Sequence, residues 1–253
     1  MRNDKDLALE LVVEPTIDRR QLAPGLTGAI GEFTRNSSVY AYVDERQVAV
    51  QALLESSGFQ RARVFVTMKK NLTDLDERAD PGRVTGTVGF AAEYDQRVRQ
   101  TCNEAFTEHW GTRPWSAEDW RDSVTGNEEF LPEHSFLHVD AGVVDAFLLA
   151  SRSDHADGVE FDLIGTLEEV RGRGLATHLI RCASSSARAS GFTVAWLIVD
   201  SSGDSAAPAL YERAGFEAVG REFVFVSRTS PETPAGRPAR LSRPAGGPGP
   251  TPP

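Results

Sequence analysis

Cysteine, lysine and long apolar runs are scarce in this chain of 253 residues. Its two cysteines, Cys102 and Cys182, lack the CxxC spacing of a zinc or redox pair, so both are expected to be buried thiols. The five histidines contain no HExxH. His134 and His138 are four apart but flank Ser135-Phe136-Leu137, which reads as a strand, so no metal site is expected. No run approaches the roughly 18 apolar residues of a membrane-spanning helix, and no membrane partner is expected. Residues 1–10 are interrupted by Asp4, Lys5, Asp6 and Glu10 and lack the apolar stretch of a secretory signal, so a cytoplasmic location is expected. Lysine supplies only 3 of the 27 basic residues, a bias of genome composition rather than of function.

What is abundant is acid, and it is unevenly placed. Residues 229–253 hold 8 of the 14 prolines and almost no large apolar side chain, the composition of a disordered tail, with three Arg against one Glu. Residues 1–78 carry 11 basic and 12 acidic groups, which leaves 13 basic and 24 acidic for residues 79–228, a charge of −11. That surface repels phosphate backbones, so no nucleic-acid partner is expected. It suits a cationic small molecule, or serves only solubility.

Two stretches repeat one order of elements. In the second, residues 159–167 form a strand, 174–190 a helix with Leu175, Leu179 and Cys182 on one face, 193–199 a strand, 205–214 a helix and 216–226 a strand. In the first, 7–13, 19–34, 38–43, 48–57 and 59–68 repeat it, and Leu53-Leu54-Glu55-Ser56-Ser57-Gly58-Phe59 lies over Leu210-Tyr211-Glu212-Arg213-Ala214-Gly215-Phe216. Only the second has a front section. It comprises a strand at 85–91, a helix at 94–109, a helix at 116–124 opened by a Ser-x-x-Asp capping box, and two strands, 135–141 and 143–151, turning near Gly142. The chain therefore divides into a partial, degenerate copy (1–78), a complete unit (79–228) and the tail (229–253). An uncovered half-sheet in the partial copy is a candidate association surface, although the oligomeric state is not legible.

The most specific local feature is Arg171-Gly172-Arg173-Gly174-Leu175-Ala176, set between a strand and a helix. A helix start offers unpaired N–H groups and partial positive charge, and the glycines let an anion approach the backbone. No Lys-Ser or Lys-Thr follows, which excludes a nucleoside-triphosphatase loop, and the third glycine of GxGxxG is missing. The order strand, Arg171-x-x-Gly174-x-Ala176, helix, strand, helix with Leu210-Tyr211-Glu212 and then Ala214-Gly215-Phe216 resembles the GNAT superfamily of acyl-CoA N-acyltransferases over residues 83–226. The tandem layout, with Asn103-Glu104-Ala105-Phe106 and His109-Trp110-Gly111, is similar to mycothiol synthase-like acetyltransferases.

The resemblance implies an α/β (α+β) GNAT fold, a mixed central sheet flanked by helices. It implies acetyl transfer from acetyl-CoA to the primary amine of a small molecule by direct attack in a ternary complex, without a metal. Arg171, Gly172, Arg173, Gly174, Leu175, Ala176 and Thr177 would bind the pyrophosphate. Ile164, Gly165 and Thr166 would pair with the pantetheine arm and polarise the thioester through a backbone N–H. Tyr211 would protonate the departing sulfur, and Glu160 or Asp162, expected from strand alternation on one face with Ile164 and Thr166, would take the amine proton. Asp200 is a further candidate for orienting an amine. Many relatives have an Asn after the fifth strand; here Gly203 or Asp204 takes its place, so Asp204 is the cofactor-side candidate and weaker cofactor affinity is expected. In the first copy Leu54 stands where Tyr211 should be, so that copy does not bind coenzyme A in the family manner. The alternatives are a non-catalytic acyl-CoA-binding or interaction module and an acetyltransferase of protein or peptide amines.

Overall fold

The computed structural model describes residues 40–74, 84–110, 112–155, 157–202 and 206–227. The strand expected at 7–13, the helix at 19–34, the tail at 229–253 and Asp204 lie outside the described residues. In chain order the elements are β1 (Tyr40–Asp44), α1 (Val48–Ser56), β2 (Phe59–Asn71), β3 (Thr87–Gly89), α2 (Asp95–Ala105), α3 (Ala117–Trp120), β4 (Phe136–Asp140), β5 (Val143–Arg152), β6 (Gly158–Thr166), α4 (Leu175–Ala189), β7 (Val194–Asp200), α5 (Ala207–Arg213) and β8 (Glu217–Ser227). The described residues form two compact units: 84–193, and 40–74 with 194–202 and 206–227.

In the unit of residues 84–193 the strands are ordered β6-β5-β4-β3 and every pairing is antiparallel. Strand β5 is apolar on both faces, and each face finds a cover. Val144, Phe147 and Leu149 pack with Val98 and Cys102 of α2, Trp120 of α3 and Leu137 of β4. Ala146, Leu148 and Ala150, alternating with these, are equally buried, and α4 packs on β4, β5 and β6. Burying one such leucine or phenylalanine is worth about 1.5–3 kcal/mol, so β5 anchors this unit. The apolar surroundings push the Cys102 thiol up to about 12, whereas Cys182 is half-buried with its Sγ 3.5 Å from His178 Nε2.

Some boundaries differ from expectation for local reasons. Gly86, at φ +91°, makes a turn that shortens the first strand to three residues. The helix expected over 94–109 stops at Ala105. The capping box at Ser116 forms: the Asp119 N–H donates to Ser116 Oγ at 3.0 Å, and Ser116 Oγ donates to Asp119 Oδ2 at 2.7 Å. Its helix then widens into a π-type turn over Arg121–Thr125.

In the other unit the strands are ordered β1-β8-β2-β7, again antiparallel. The segments β1-α1-β2 and β7-α5-β8 are the two matching stretches of sequence, and the order reads the same from either end when each strand is exchanged for its counterpart. Gly58 and Gly215, aligned by the repeat, follow α1 and α5 at φ +91° and +89°. The Gly58 N–H donates to Glu55 O at 3.0 Å and the Gly215 N–H to Glu212 O at 2.9 Å, so both helices end on a left-handed glycine. Ala41, Val43, Val50, Leu54, Phe59 and Phe225 form the core beneath α1.

Candidate functional site

The loop after β6 is built by backbone geometry. The Leu167 N–H donates to Asp145 O at 2.9 Å, a 3-10 turn spans Glu168–Val170, and the chain then passes Gly172 and Gly174, both at φ +79°. L side chains rarely adopt that conformation, and a Cβ at either glycine would meet nothing within 4 Å, so the space above the loop is open. Helix α4 opens on Gly174 with no side-chain cap, which leaves first-turn N–H groups free to meet an anion where the helix dipole favours one. Leu175 is buried and anchors the helix start; Ala176 and Thr177 are half-buried behind it. An acyl-CoA pyrophosphate fits this donor set.

The two arginines are exposed and folded onto nearby carbonyls. Arg171 donates from Nε to Thr166 O at 3.2 Å and from Nη2 to Ala105 O at 3.4 Å, tying the loop to the end of β6 and the last turn of α2. Arg173 donates from Nη2 to Glu169 O at 3.2 Å. Glu168 and Glu169 precede Arg171 and Arg173 directly, so the formal charge of the loop is balanced. Its affinity for an anion therefore rests on oriented N–H groups more than on net charge.

Strand β6 carries a β-bulge. Leu163 pairs with Leu149 and Phe161 with Ala150, so Asp162 is an extra residue in the register of β6. The expectation that Glu160 and Asp162 share a face with Ile164 and Thr166 is corrected. Cross-strand partners share a face, so Glu160 opposite Ser151 lies with Leu163 and Gly165, while Ile164 and Thr166 lie with Phe161 on the other side. Ser151, which sequence reasoning passed over, has a buried Oγ with no hydrogen-bond partner among the described residues and stands opposite Glu160. Only its place in an apolar strand could have drawn notice. At Gly165 an added Cβ would stand 2.4 Å from Phe147 Cζ, so the strand passes this ring only as glycine.

Tyr211 belongs to the other unit, on α5. Its ring meets Phe216 edge-on at 6.2 Å between centroids, and burial pushes its phenol up to about 12, so it is a protonated donor at neutral pH. Asp200 is occupied. Its Oδ2 lies 3.4 Å from Arg63 Nε and its Oδ1 accepts from the Ser202 N–H at 2.8 Å. Ser201 Oγ donates to Val64 O at 3.0 Å, and the Val64 N–H donates to Ser202 Oγ at 2.8 Å. The residues that follow β7 are thus stitched to β2.

His134 and His138 serve separate contacts. His134 Nδ1 lies 2.8 Å from Ser186 Oγ, whereas His138 lies 2.5 Å from Asp145 Oδ1 through Nδ1 and 3.0 Å from Thr85 O through Nε2. Among the described residues no group of three His, Cys, Asp or Glu side chains could hold a metal ion, and no helix is long and apolar enough to cross a membrane.

Residues 95–216 match the Acetyltransferase (GNAT) family. A mycothiol acetyltransferase of Corynebacterium glutamicum is 26% identical over 224 residues, 85% of this chain and 74% of that protein. A GCN5-related N-acetyltransferase structure from Sphaerobacter thermophilus superposes with a TM-score of 0.75 at 21% identity, over 93% of this chain and 77% of the other. A tandem GNAT protein from the clavulanic acid biosynthesis pathway gives 0.63 at 17% identity, over 90% and 77%. Residues 95–216 thus carry a GNAT acetyltransferase domain, and the chain is similar to GNAT N-acetyltransferases in sequence and fold.

Proposed function

We propose that the protein transfers the acetyl group of acetyl-CoA to the primary amine of a small molecule by direct attack in a ternary complex. The observation that carries this reading is the loop at Gly172 and Gly174, with open space above both glycines and an uncapped helix behind them. Members of the family use acetyl-CoA as co-substrate, and the relatives named mycothiol acetyltransferase support a small-molecule acceptor. Acetyl-CoA supplies the thioester carbon that the amine attacks. The first-turn N–H groups of α4 hold its pyrophosphate, and the backbone of Ile164, Gly165 and Thr166 pairs with pantetheine and donates to the oxygen that gains charge.

The amine must be neutral to attack, which assigns a base to Glu160 or to Asp162 at the bulge. Tyr211 attends the departing sulfur. Full proton transfer from a phenol near about 12 to a thiolate whose reference value is about 8.5 is uphill by roughly 5 kcal/mol. Tyr211 therefore acts chiefly as a hydrogen-bond donor while charge develops, and the proton freed from the amine neutralises the thiolate afterwards. Residues 40–71 represent the remnant of a first copy within a 1–78 segment, 79–228 the catalytic unit and 229–253 a tail. The symmetric strand order of β1, β2, β7 and β8 supports the repeat.

Thiol release from acetyl-CoA over a panel of amines tests the activity. Turnover is expected with a small primary amine, and Tyr211→Phe is expected to lower kcat about a hundredfold with little change in KM for acetyl-CoA. Binding of acetyl-CoA without turnover on any amine would instead support a non-catalytic module, and turnover confined to peptides a protein acetyltransferase.

A further inference from the structure

Away from the loop, near the start of β6 and the end of α4, the unit of residues 84–193 contains a cavity of about 480 Å³. Glu133, His134, Arg152, Asp154, Asp157 and Phe192 are among its walls. Eight residue steps along β6 lead from Gly158 at this cavity to Thr166 at the acyl-CoA loop, a span of about 26 Å at the rise of a strand. Of the residues assigned to acetyl transfer, only the candidate base Glu160 lies toward this end of β6, and it is not among the walls of the cavity.

The central group is His134, whose side chain is 2% exposed. Ser186 Oγ donates to Glu133 O at 3.0 Å, and a hydroxyl has one proton. Toward His134 it can therefore only accept, so the imidazole proton sits on Nδ1, 2.8 Å away. Burial lowers the pKa of the ring more than Glu133 raises it, which keeps the ring neutral near pH 7. Nε2 then carries a lone pair, 3.9 Å from Glu133 Oε1 and without a hydrogen bond among the described residues, on a side chain of the cavity wall. Phe192 holds the ring edge-on at 5.4 Å between centroids.

Two acceptors at that separation, one of them anionic, call for a donor with two N–H groups and positive charge. The surroundings agree. Asp154 and Asp157 add carboxylates, and the single wall guanidinium, Arg152, is matched by Glu129 at 3.8 Å. The C-terminal end of α4, at Ser190 and Gly191, brings the negative pole of a helix of 15 residues to the same cavity. Hydrogen bonds hold the described wall residues: Ser153 N–H to Gly158 O at 3.1 Å, Gly158 N–H to His155 O at 3.0 Å and Thr193 N–H to Asp157 O at 2.9 Å. From this we infer that the cavity binds a small organic ammonium ion bearing N–H donors, at a site separate from acyl transfer. His134 Nε2 and Glu133 accept its hydrogen bonds, and Phe192 supplies an apolar wall for its carbon chain.

The experiment is a titration of the full chain, labelled with 15N-histidine, with n-butylammonium chloride at constant ionic strength, followed by NMR. The His134 Nε2 resonance is expected to move and saturate. Glu133→Gln, a change at an exposed side chain, is expected to weaken binding about tenfold, the effect of one hydrogen bond to a charged group. Tetramethylammonium, which has no N–H, is expected to bind at least as weakly to the unmodified chain. The response is expected to persist with the protein saturated in coenzyme A. An unmoved or non-saturating Nε2 resonance, equal affinity for tetramethylammonium, indifference to Glu133→Gln, or loss of the response with coenzyme A bound would each overturn the proposal.

Discussion

Glycine at two places in the site does work that no other residue could do there, for opposite reasons. Gly165 lacks room: Phe147 is fully buried, its ring is held edge-on against Phe106 at 6.2 Å, and a methyl group would come within 2.5 Å of two ring carbons. Gly165→Ala is therefore expected to lower stability by about 1–3 kcal/mol through overpacking, seen as a lower urea midpoint at unchanged slope. Gly172 has room but the wrong φ for any other residue. Gly172→Ala is expected to cost roughly 1 kcal/mol of loop conformation and to raise KM for acetyl-CoA while leaving kcat at saturation nearly unchanged, which steady-state kinetics would read. Asp200 shows how a plausible catalytic carboxylate is reassigned by its neighbours. Already paired with Arg63 and the Ser202 N–H, it orders the end of β7, and Asp200→Asn is expected to leave KM for the amine unchanged.

At the scale of elements, strand β6 decides the catalytic question. The extra residue at Asp162 reverses the facing of everything before it relative to everything after, so Glu160 and Ile164 look to opposite sides of the sheet although four residues separate them. The proposed base is the carboxylate whose removal abolishes the acidic limb of the pH–kcat/KM profile, so Glu160→Gln and Asp162→Asn are expected to differ in that profile and not only in rate. The segment Ser201-Ser202 is a second element-level device. Ser202→Ala removes the acceptor for the Val64 N–H and is expected to cost about 1 kcal/mol, measured by chemical denaturation, without altering amine selectivity.

At the scale of the molecule, the buried His134 links stability to pH. In the unfolded chain this imidazole titrates at its ordinary value of about 6.5, whereas in the folded protein burial holds it lower. Between the two values the unfolded state binds the extra proton, so this contribution is fully present above about pH 6.5 and is lost as pH falls through the folded value. Thermal melts from pH 7.5 to 5 are expected to show Tm declining with acid, and His134→Gln is expected to flatten part of that decline. The acidic excess of residues 79–228 is consistent with a cationic acceptor and with the inferred ammonium cavity alike, because a negative field attracts both.

The loop, the helix it opens, the Tyr211 helix with its terminal glycine and the capping box at Ser116 were legible in the sequence. Each is a local pattern: backbone conformation and periodicity are written within a dozen residues. The bulge at Asp162, the engagement of Asp200 by Arg63 and the lone pair of His134 on a cavity wall were not. Each depends on a partner far away in the chain: the register of β5 against β6, β2 beside β7, and Ser186 of α4 beneath His134. Residue spacing fixed which groups are present and which local turns they make. Only tertiary pairing decided which way they face and which of them are already satisfied, because a strand's facing reverses with one residue of register and a side chain's protonation follows whatever lies against it.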